Sequence, residues 1–232
     1  MGSHYNPRIV TDGLVLHLDA ANIRSYPGSG TAWTDLSGLG NNGTLTNGPT
    51  FDSNNGGSIV FDGTNDHVLV SSNASIPYTA SARTVNIWFY TNSTSWVTNV
   101  NNLFFYGDGV AGQAFGIDMD TYPKMEVFTW GGSGRDFVFD TTYLEVGWKN
   151  ICVTYDGSTT IIVYENGGLT QTLTLTAACN TPSSDVYIGA RRPTPTAVYY
   201  DGRIQQTSIY NRALSAAEIR QNFNATRGRF GI

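Results

Sequence analysis

The sequence predicts an all-β protein, an antiparallel two-sheet sandwich that ends in one short helix. Roughly a dozen short segments are rich in apolar and β-branched residues, and several alternate apolar with polar positions. Turn-forming Gly, Asn, Asp and Pro residues separate these segments at short intervals, and no strand–helix–strand alternation appears. Only one segment near the C terminus changes to a helical period. These three observations together favour two packed antiparallel sheets.

The amino-acid composition indicates which classes of partner are unsuitable for this protein. The 232 residues fit one β domain, and a hydrophobic content of 40% is enough for a sizeable core. Charged residues make up only 13%, and the net charge of −5 makes nucleic acid and anionic membranes poor partners. No run approaches the ~18 apolar residues of a membrane helix, so membrane insertion is not predicted. Two cysteines do not make a disulfide framework.

The N-terminal part divides into an arm and a loop-rich region. Residues 1–12 are predicted to form an extended arm, with a single domain over residues 13–232, and Met1–His4 is either a native start or a cloning remnant. The first strand covers residues 14–18. Residues 19–57 are dense in turn formers, which is typical of long surface loops, and Trp33 is predicted to anchor them to the body.

The central part is predicted as successive strands that close into sheets. An Asp-Gly turn at Asp156-Gly157 joins two apolar segments as a hairpin. Strands are predicted at residues 83–91, 103–106, 114–119, 125–130, 137–139, 148–155, 160–165, 169–175 and 186–189.

The C-terminal segment combines a closing strand with the one predicted helix. Residues 204–210 alternate in a β rhythm. Ser215 then stands three residues before Glu218, the spacing of a capping box, and Leu214 with Ile219 forms a hydrophobic staple. This segment predicts a helix that starts after Ser215 and packs on the sandwich.

The turn at residues 62–66 has two interpretations. Asp62, Asn65 and Asp66 are residues that stabilise tight turns by bonding to nearby backbone N–H groups. Their oxygens are also suitable calcium ligands, although the spacing is not that of an EF-hand loop. Both interpretations stay open at the level of sequence, with the turn favoured.

Five segments together resemble a known family. They read GLVLHLDAAN, WTDLSGLGNNGTL, SIVFDGTNDHVLV, WKNICVTYDGSTTIIVYENG and GRIQQTSIYNRALSAAEI. In this order and spacing they are similar to the concanavalin A-like, laminin-G-like jelly-roll family, especially to versions in virion proteins of tailed phages. The resemblance implies a jelly roll from about residue 12 to about residue 223. The family includes lectins, glycosidases, lyases and structural proteins, so function must be argued from the site.

Two departures from the family bear on metal binding. Gln205-Gln206 stands where relatives commonly carry Asp-Glu, and Arg191-Arg192 stands where the pentraxin-like calcium site carries acids. Guanidinium groups repel a divalent cation, so the resemblance does not imply a pentraxin-type site. Asn86 stands where the pentraxin partner of Cys152 would be, which implies a free Cys152.

Five aromatic residues are candidate glycan contacts, because sugar rings stack on exposed aromatic faces beside amides and carboxylates. Trp96 lies in an Asn-rich loop, and Trp130 precedes a Gly-rich turn. Tyr122, Tyr199 and Tyr200 complete the set. For each one, the alternative is a side chain that only caps the edge of the core.

Carboxylates give a calcium candidate and a weak catalytic pattern. Asp108 and Asp118 are candidate ligands for one calcium ion at the rim, and calcium is the only cofactor that the sequence suggests. Asp118-x-Asp120 is the nearest match to the paired carboxylates of a glycosidase, and the alternative is a strand end entering a turn. No catalytic residue is predicted.

The function that these features favour is a non-catalytic, virion-associated adhesion protein, a capsid decoration or tail-fibre subunit on the virion surface. Its predicted partners are other virion proteins, bound through the arm at residues 1–12 and the Arg-bearing tail at residues 227–232, and host or environmental polysaccharide. A homo-oligomer is compatible with this role. The alternative is a bacterial extracellular carbohydrate-binding module, followed by a glycan-degrading enzyme.

Overall fold

The computed structural model describes residues 7–92, 101–120, 123–140, 146–191 and 198–232. Within these ranges the chain forms eighteen strands, one α-helix and two short 3₁₀ turns. The first nine strands are β1 (Leu14–Asp19), β2 (Ala32–Trp33), β3 (Gly43–Thr46), β4 (Thr50–Asp52), β5 (Ser58–Asp62), β6 (His67–Val70), β7 (Arg83–Thr91), β8 (Asn101–Gly107) and β9 (Ala114–Met119). The others are β10 (Lys124–Phe128), β11 (Asp136–Asp140), β12 (Gly147–Tyr155), β13 (Thr160–Glu165), β14 (Gly168–Thr174), β15 (Val186–Ile188), β16 (Ala190–Arg191), β17 (Val198–Tyr199) and β18 (Asp201–Tyr210), followed by α1 (Ala216–Thr226). The 3₁₀ turns are Asn54–Gly56 and Arg227–Arg229.

The strands form two large antiparallel sheets, which confirms the predicted sandwich. The first sheet has the order β14-β13-β12-β7-β18-β5-β4, and β1 pairs with the second half of β18. The second sheet has the order β11-β10-β9-β8-β15-β6-β3-β2. Strands β16 and β17 pair only with each other. In the ranges that the structure describes, no helix is both long and apolar enough to span a membrane.

The core lies between the two sheets because every second residue of each strand points inward. On β7, Val85, Ile87 and Phe89 face the core, while on β9 Phe115 and Ile117 do the same. The indole of Trp33 is fully buried in this core. It therefore anchors the loop-rich region at residues 19–57, as predicted.

The outer face of the first sheet is covered by the C-terminal helix. The Ser215 side chain accepts a hydrogen bond from the Glu218 backbone N–H, and Glu218 Oε2 accepts one from the Ser215 N–H at 2.8 Å, so the predicted capping box is present. Leu214 and Ile219 are buried together beneath the helix. Further along, the Phe223 ring stacks on Trp88 of the sheet. Helix α1 is thus bound to the sandwich at both ends.

Both chain ends contact this same face. The Val10 backbone N–H donates to Asn222 Oδ1 of α1 at 2.8 Å, and the Tyr210 hydroxyl donates to the Val10 carbonyl. At the other end, Phe230 is buried, and Arg229 forms an ion pair with Asp19 at 2.8 Å. Residues 7–12 contain no helix or strand, and within them only Val10 is buried against the domain, so the extended arm at residues 1–12 stays a prediction. The tail also contacts the domain, and residues 1–6 lie outside the described ranges.

Both cysteines are free and buried. Cys152 lies directly opposite Asn86 in the antiparallel pairing of β12 with β7. The free state that the resemblance implied for Cys152 is thus confirmed, because no thiol stands at the opposing position.

Candidate functional site

The outer face of the second sheet carries a row of polar side chains across three neighbouring strands. Asn102 on β8 stands opposite Asp118 on β9, and Asp118 stands opposite Glu126 on β10. Side chains at directly opposed positions share one face and lie within contact distance. We call Asn102, Asp118 and Glu126 the acidic row.

A row of aromatic side chains crosses the same face beside the acidic row. Tyr187 on β15 stands opposite Phe105 on β8, which stands opposite Gly116 on β9, and Gly116 stands opposite Phe128 on β10. Any side chain at Gly116 would collide with the Phe128 ring, so the glycine lets that ring lie flat on the sheet. Phe105 and Phe128 are buried and form an apolar floor, whereas Tyr187 is half-buried.

Trp130 stands at the edge of this floor in a strained backbone conformation. Its φ is 65°, a left-handed value that is unusual for a bulky residue, and it packs edge-on against Phe128. The Gly112 N–H holds the Trp130 carbonyl at 2.8 Å, and the Arg191 guanidinium lies 5.2 Å from the centre of a Trp130 ring. Such strain is found preferentially at ligand sites, where the surrounding structure keeps a side chain in place. The half-buried indole is thus fixed beside the aromatic floor.

Burial and mutual repulsion weaken ionisation in the acidic row. The pKa of Asp118 is well above its usual value, because burial disfavours the charge and Glu126 repels it. Burial, followed by the charge of Asp136, raises the pKa of Glu126 to about 7. The two carboxyl groups face each other directly across β9 and β10. Two carboxyls in contact hold a shared proton near neutral pH, as in a carboxylate dyad.

Several atoms of the acidic row have no good hydrogen-bond partner. Asn102 is fully buried, and its Oδ1, its Nδ2 and Asp118 Oδ1 lack a partner of acceptable geometry. The Asn102 amide is nevertheless close enough to Asp118 to favour its ionised form. A buried polar group without a partner costs about 1–3 kcal/mol, so the row is suited to complete its hydrogen bonding with a ligand.

Glu126→Gln is expected to stabilise the protein in a pH-dependent way. The folded-state pKa of Glu126 is about 7 against a usual value of 4.5, so the carboxyl is protonated in both folded and unfolded states below about pH 4.5. Between about pH 4.5 and pH 7 the parent protein loses stability, because only the unfolded state gives up the proton there, and the amide variant does not. We expect the variant to be more stable by ~1–2 kcal/mol at pH 8, after allowance for solvent screening. Denaturant unfolding at both pH values measures the difference, and an equal difference at pH 4.5 and pH 8 would contradict the assignment.

The predicted glycan contacts do not all lie together. Trp130 and Tyr199 are half-buried on the acidic-row side of the second sheet, and Tyr199 lies 6.4 Å from the His67 ring. Tyr200 is fully buried, and its hydroxyl donates to the Tyr90 carbonyl at 2.7 Å, so the prediction of an exposed Tyr200 face is wrong. Because residues of a strand alternate in direction, only one of two adjacent tyrosines can face outward. Trp96 and Tyr122 lie outside the described residues.

Asp108 and Asp118 are too far apart to bind one calcium ion. Asp118 is opposite Asn102 at the start of β8, whereas Asp108 follows the end of that strand. Six residues of extended chain separate these positions by about 20 Å. Asp108 Oδ1 accepts instead from the Gly109 N–H at 2.8 Å. The shared calcium site is therefore wrong, since the two carboxylates occupy opposite ends of one hairpin.

The turn at residues 62–66 is held by its own hydrogen bonds. Asp62 Oδ1 accepts from the Thr64 N–H at 2.8 Å, and Asp66 Oδ2 accepts from the Asp62 N–H at 3.3 Å. Over the described part of the chain, no three His, Cys, Asp or Glu side chains converge in a way suited to a metal ion. These bonds favour the structural interpretation of the turn.

The most distinctive feature of the site was not predicted from sequence. Asp118 was considered beside Asp120, but its partner is Glu126, eight positions away on the next strand. These two residues meet because the antiparallel pairing of β9 with β10 places them directly opposite each other. Predicting that register requires aligning β9 with β10, and the alternation within either strand does not determine this alignment.

Comparisons with known proteins agree on the fold. A family model described as the concanavalin A-like lectin/glucanases superfamily matches residues 62–220, more than half of the chain. No curated protein matches the sequence. Many solved structures are similar.

Among the similar structures are two binding domains and one domain of an arabinanase. The binding domain of botulinum neurotoxin DC, in complex with rat synaptotagmin II, has a TM-score of 0.70 and 16% identity over 94% of this chain and 52% of that one. The binding domain of Paraclostridial Mosquitocidal Protein 1 has a TM-score of 0.67 and 18% identity over 93% of this chain and 52% of that one. Domain 4 of AbnA, a GH43 extracellular arabinanase from Geobacillus stearothermophilus, in complex with arabinotriose, has a TM-score of 0.65 and 16% identity over 90% and 97%.

The similarity to these structures is one of fold alone, because the identities are low. This chain spans about half of the toxin binding domains, 52% in both cases, and nearly all of the arabinanase domain, 97%. The match of the family model over residues 62–220 establishes membership: the chain belongs to the concanavalin A-like lectin/glucanases superfamily.

Proposed function

We propose that the chain is a non-catalytic glycan-binding domain whose site is the outer face of the second sheet. The observation that carries the proposal is the position of Trp130, a half-buried indole held at a left-handed φ of 65° at the edge of the aromatic floor, whose other side adjoins the acidic row. Sugar rings present apolar faces for aromatic stacking and hydroxyls for such polar groups. The first sheet is less suitable, because helix α1 and the C-terminal tail cover its outer face.

One of the similar structures supports a glycan as the ligand, and another shows a protein as the partner. The arabinanase domain, which this chain matches over 97% of that domain's length, was solved in complex with arabinotriose. The neurotoxin DC structure is a binding domain with a protein receptor, so the fold also presents surfaces for proteins. The aromatic and polar residues on the described face favour a glycan for the present chain.

The similar structures favour binding over glycoside hydrolysis, since the matches to botulinum neurotoxin DC and to Paraclostridial Mosquitocidal Protein 1 are both binding domains.

Trp130→Ala is expected to weaken glycan binding at least tenfold, because the indole supplies the stacking face. Trp130→Phe keeps an aromatic ring and should lose less affinity. Isothermal titration with neutral and amino-bearing oligosaccharides, with and without calcium, measures both variants. Ile23→Ala, at a side chain that is 78% exposed and outside the face, is the control and should bind like the parent. Equal affinity of parent and Trp130→Ala for every bound oligosaccharide would contradict the proposed site.

We also propose a place of action on the outside of a particle or cell, with the virion surface as the first choice and a bacterial extracellular module as the alternative. The phage-like segments and the low lysine content support this location. The termini support it less, because residues 7–12 and Phe230 contact the domain itself. Mass spectrometry of purified particles, against the secreted fraction of the host, distinguishes the two locations.

A further inference from the structure

We propose that the acidic row selects glycans that carry free amino groups, so that the preferred ligand is a cationic oligosaccharide of unacetylated amino sugars. This inference rests on the proposed glycan-binding function and adds the chemical class of the ligand. It starts from the geometry of Asn102, Asp118 and Glu126 on three adjacent strands.

Unsatisfied buried atoms indicate where a ligand cation would bind. Asn102 Oδ1 and Asp118 Oδ1 are both acceptors without a partner of good geometry, and both residues are more than nine-tenths buried. An ammonium group has three N–H donors and no acceptor, so it matches a cluster of acceptor oxygens. A neutral hydroxyl supplies one donor and brings no charge.

The charge of the surrounding face has the sign that this ligand requires. Among the residues that the structure describes, five carboxyl groups face this region from β9, the residue after it, β10 and β11, and two cationic side chains face it from β10 and β16. The Arg191 guanidinium lies over the Trp130 ring, and its charge also acts on Asp118 and Glu126, where it favours the ionised carboxylates. The carboxyls belong to Asp118, Asp120, Glu126, Asp136 and Asp140, and the cations are Lys124 and Arg191.

Binding of an ammonium group would release a proton from the acidic row. In the empty site, repulsion between Asp118 and Glu126 keeps a proton on the pair, and the raised pKa of each carboxyl agrees with this state. A neighbouring cation favours the ionised carboxylates, so the proton leaves to solvent as the ammonium binds. Affinity should therefore rise between pH 6 and pH 7 as long as the amine stays protonated.

Glucosamine oligomers and N-acetylglucosamine oligomers of equal length test the proposal, because they differ only in the charge and bulk at the amine. We expect the glucosamine oligomer to bind at least tenfold more tightly at pH 6.5, by isothermal titration. Titration in two buffers of different ionisation heat should show proton release only with that oligomer. Asp118→Asn with Glu126→Gln should abolish the preference without unfolding the protein, since both changes keep the side-chain shape.

A matched control separates a specific site from general attraction to an acidic protein. Asp12→Asn with Asp156→Asn removes two carboxyl groups at exposed positions away from the face, and it should keep the preference. If this control lost the preference for the glucosamine oligomer to the same extent, the proposal would be overturned. Equal binding of the two oligomers would overturn the amino-sugar inference and leave the glycan-binding function intact. If Trp130→Ala has no effect and no oligosaccharide binds, the proposed function fails as well.

Discussion

Arg83→Met is expected to lower the free energy of unfolding by ~3–5 kcal/mol, one of the largest effects of a single substitution in this chain. Arg83 is the first residue of β7, and its side chain is fully buried at one end of the core. Over the described residues, no carboxylate forms an ion pair with it. Its charge is stabilised instead by hydrogen bonds and aromatic rings.

The guanidinium of Arg83 forms hydrogen bonds to three separate segments of the fold, around Thr79, Tyr106 and Thr181. Its Nε donates to the Ser81 carbonyl at 2.9 Å, and Nη1 donates to the Tyr106 hydroxyl at 2.6 Å and to Thr181 Oγ1 at 2.7 Å. Nη2 donates to the carbonyl of Thr79. The rings of Tyr106, Phe115 and Tyr155 surround it, with centres 5.3–5.5 Å from the guanidinium carbon. Methionine fills similar space but leaves these acceptors unsatisfied.

Thr79 is expected to increase the loss of stability in Arg83→Met, because it occupies a strained backbone conformation that Arg83 helps to hold. Its φ is 55°, which is rare for a β-branched residue. Two bonds fix it, one from its N–H to the Thr181 carbonyl and one from Arg83 to its own carbonyl. Removing the guanidinium leaves the strain with less support.

Arg83→Lys is the matched variant for this prediction. An ammonium keeps the charge but cannot reproduce the planar fork of the guanidinium, so we expect an intermediate loss of ~1–3 kcal/mol. Denaturant unfolding measures the free energy of unfolding of both variants, and the comparison requires an unchanged m-value. If Arg83→Met is as stable as the parent, the contacts of the guanidinium only offset the free energy lost by burying its charge. The proposed stabilising role of Arg83 would then be wrong.

The fold was predictable because local signals agreed with one another along the chain. The alternation of Val85, Ile87 and Phe89 identified β7 and its inward face before any tertiary contact was known. Ser215 and Glu218 identified the start of α1, since a capping box depends on residues three positions apart. Such signals depend on short-range geometry, which the order of residues specifies directly.

The site was less predictable because it depends on register between strands. Asp118 and Glu126 meet only because β9 and β10 pair with these residues opposed, and a slip of one residue would move either side chain to the core face. The same dependence explains the error at Tyr200, since the sequence did not decide which of two adjacent tyrosines faces outward. The acidic row, in turn, becomes visible only once three strands are aligned.

Trp88→Ala is expected to cost ~3–5 kcal/mol, the range measured for large aromatic side chains truncated in protein cores. The fully buried indole stacks against Phe230 at 4.0 Å between ring centres and against Phe223 at 5.5 Å. Its Nε1 donates to Thr226 Oγ1 at 2.9 Å. One side chain thus binds the middle of β7 to α1 and to the C-terminal tail.

The region that Trp88→Ala destabilises distinguishes this substitution from the truncation of an ordinary core residue. If Trp88 holds the C-terminal segment in place, hydrogen exchange in Trp88→Ala should accelerate first over residues 216–230, while β8–β10 of the second sheet stay protected. Thr226→Val removes the hydrogen bond and keeps the rings, so it should cost only ~1 kcal/mol with little change in exchange. Uniform acceleration across both sheets would contradict a local role for Trp88. Preserved glycan affinity in the variant, at temperatures where it stays folded, is expected because the proposed site lies on the opposite sheet.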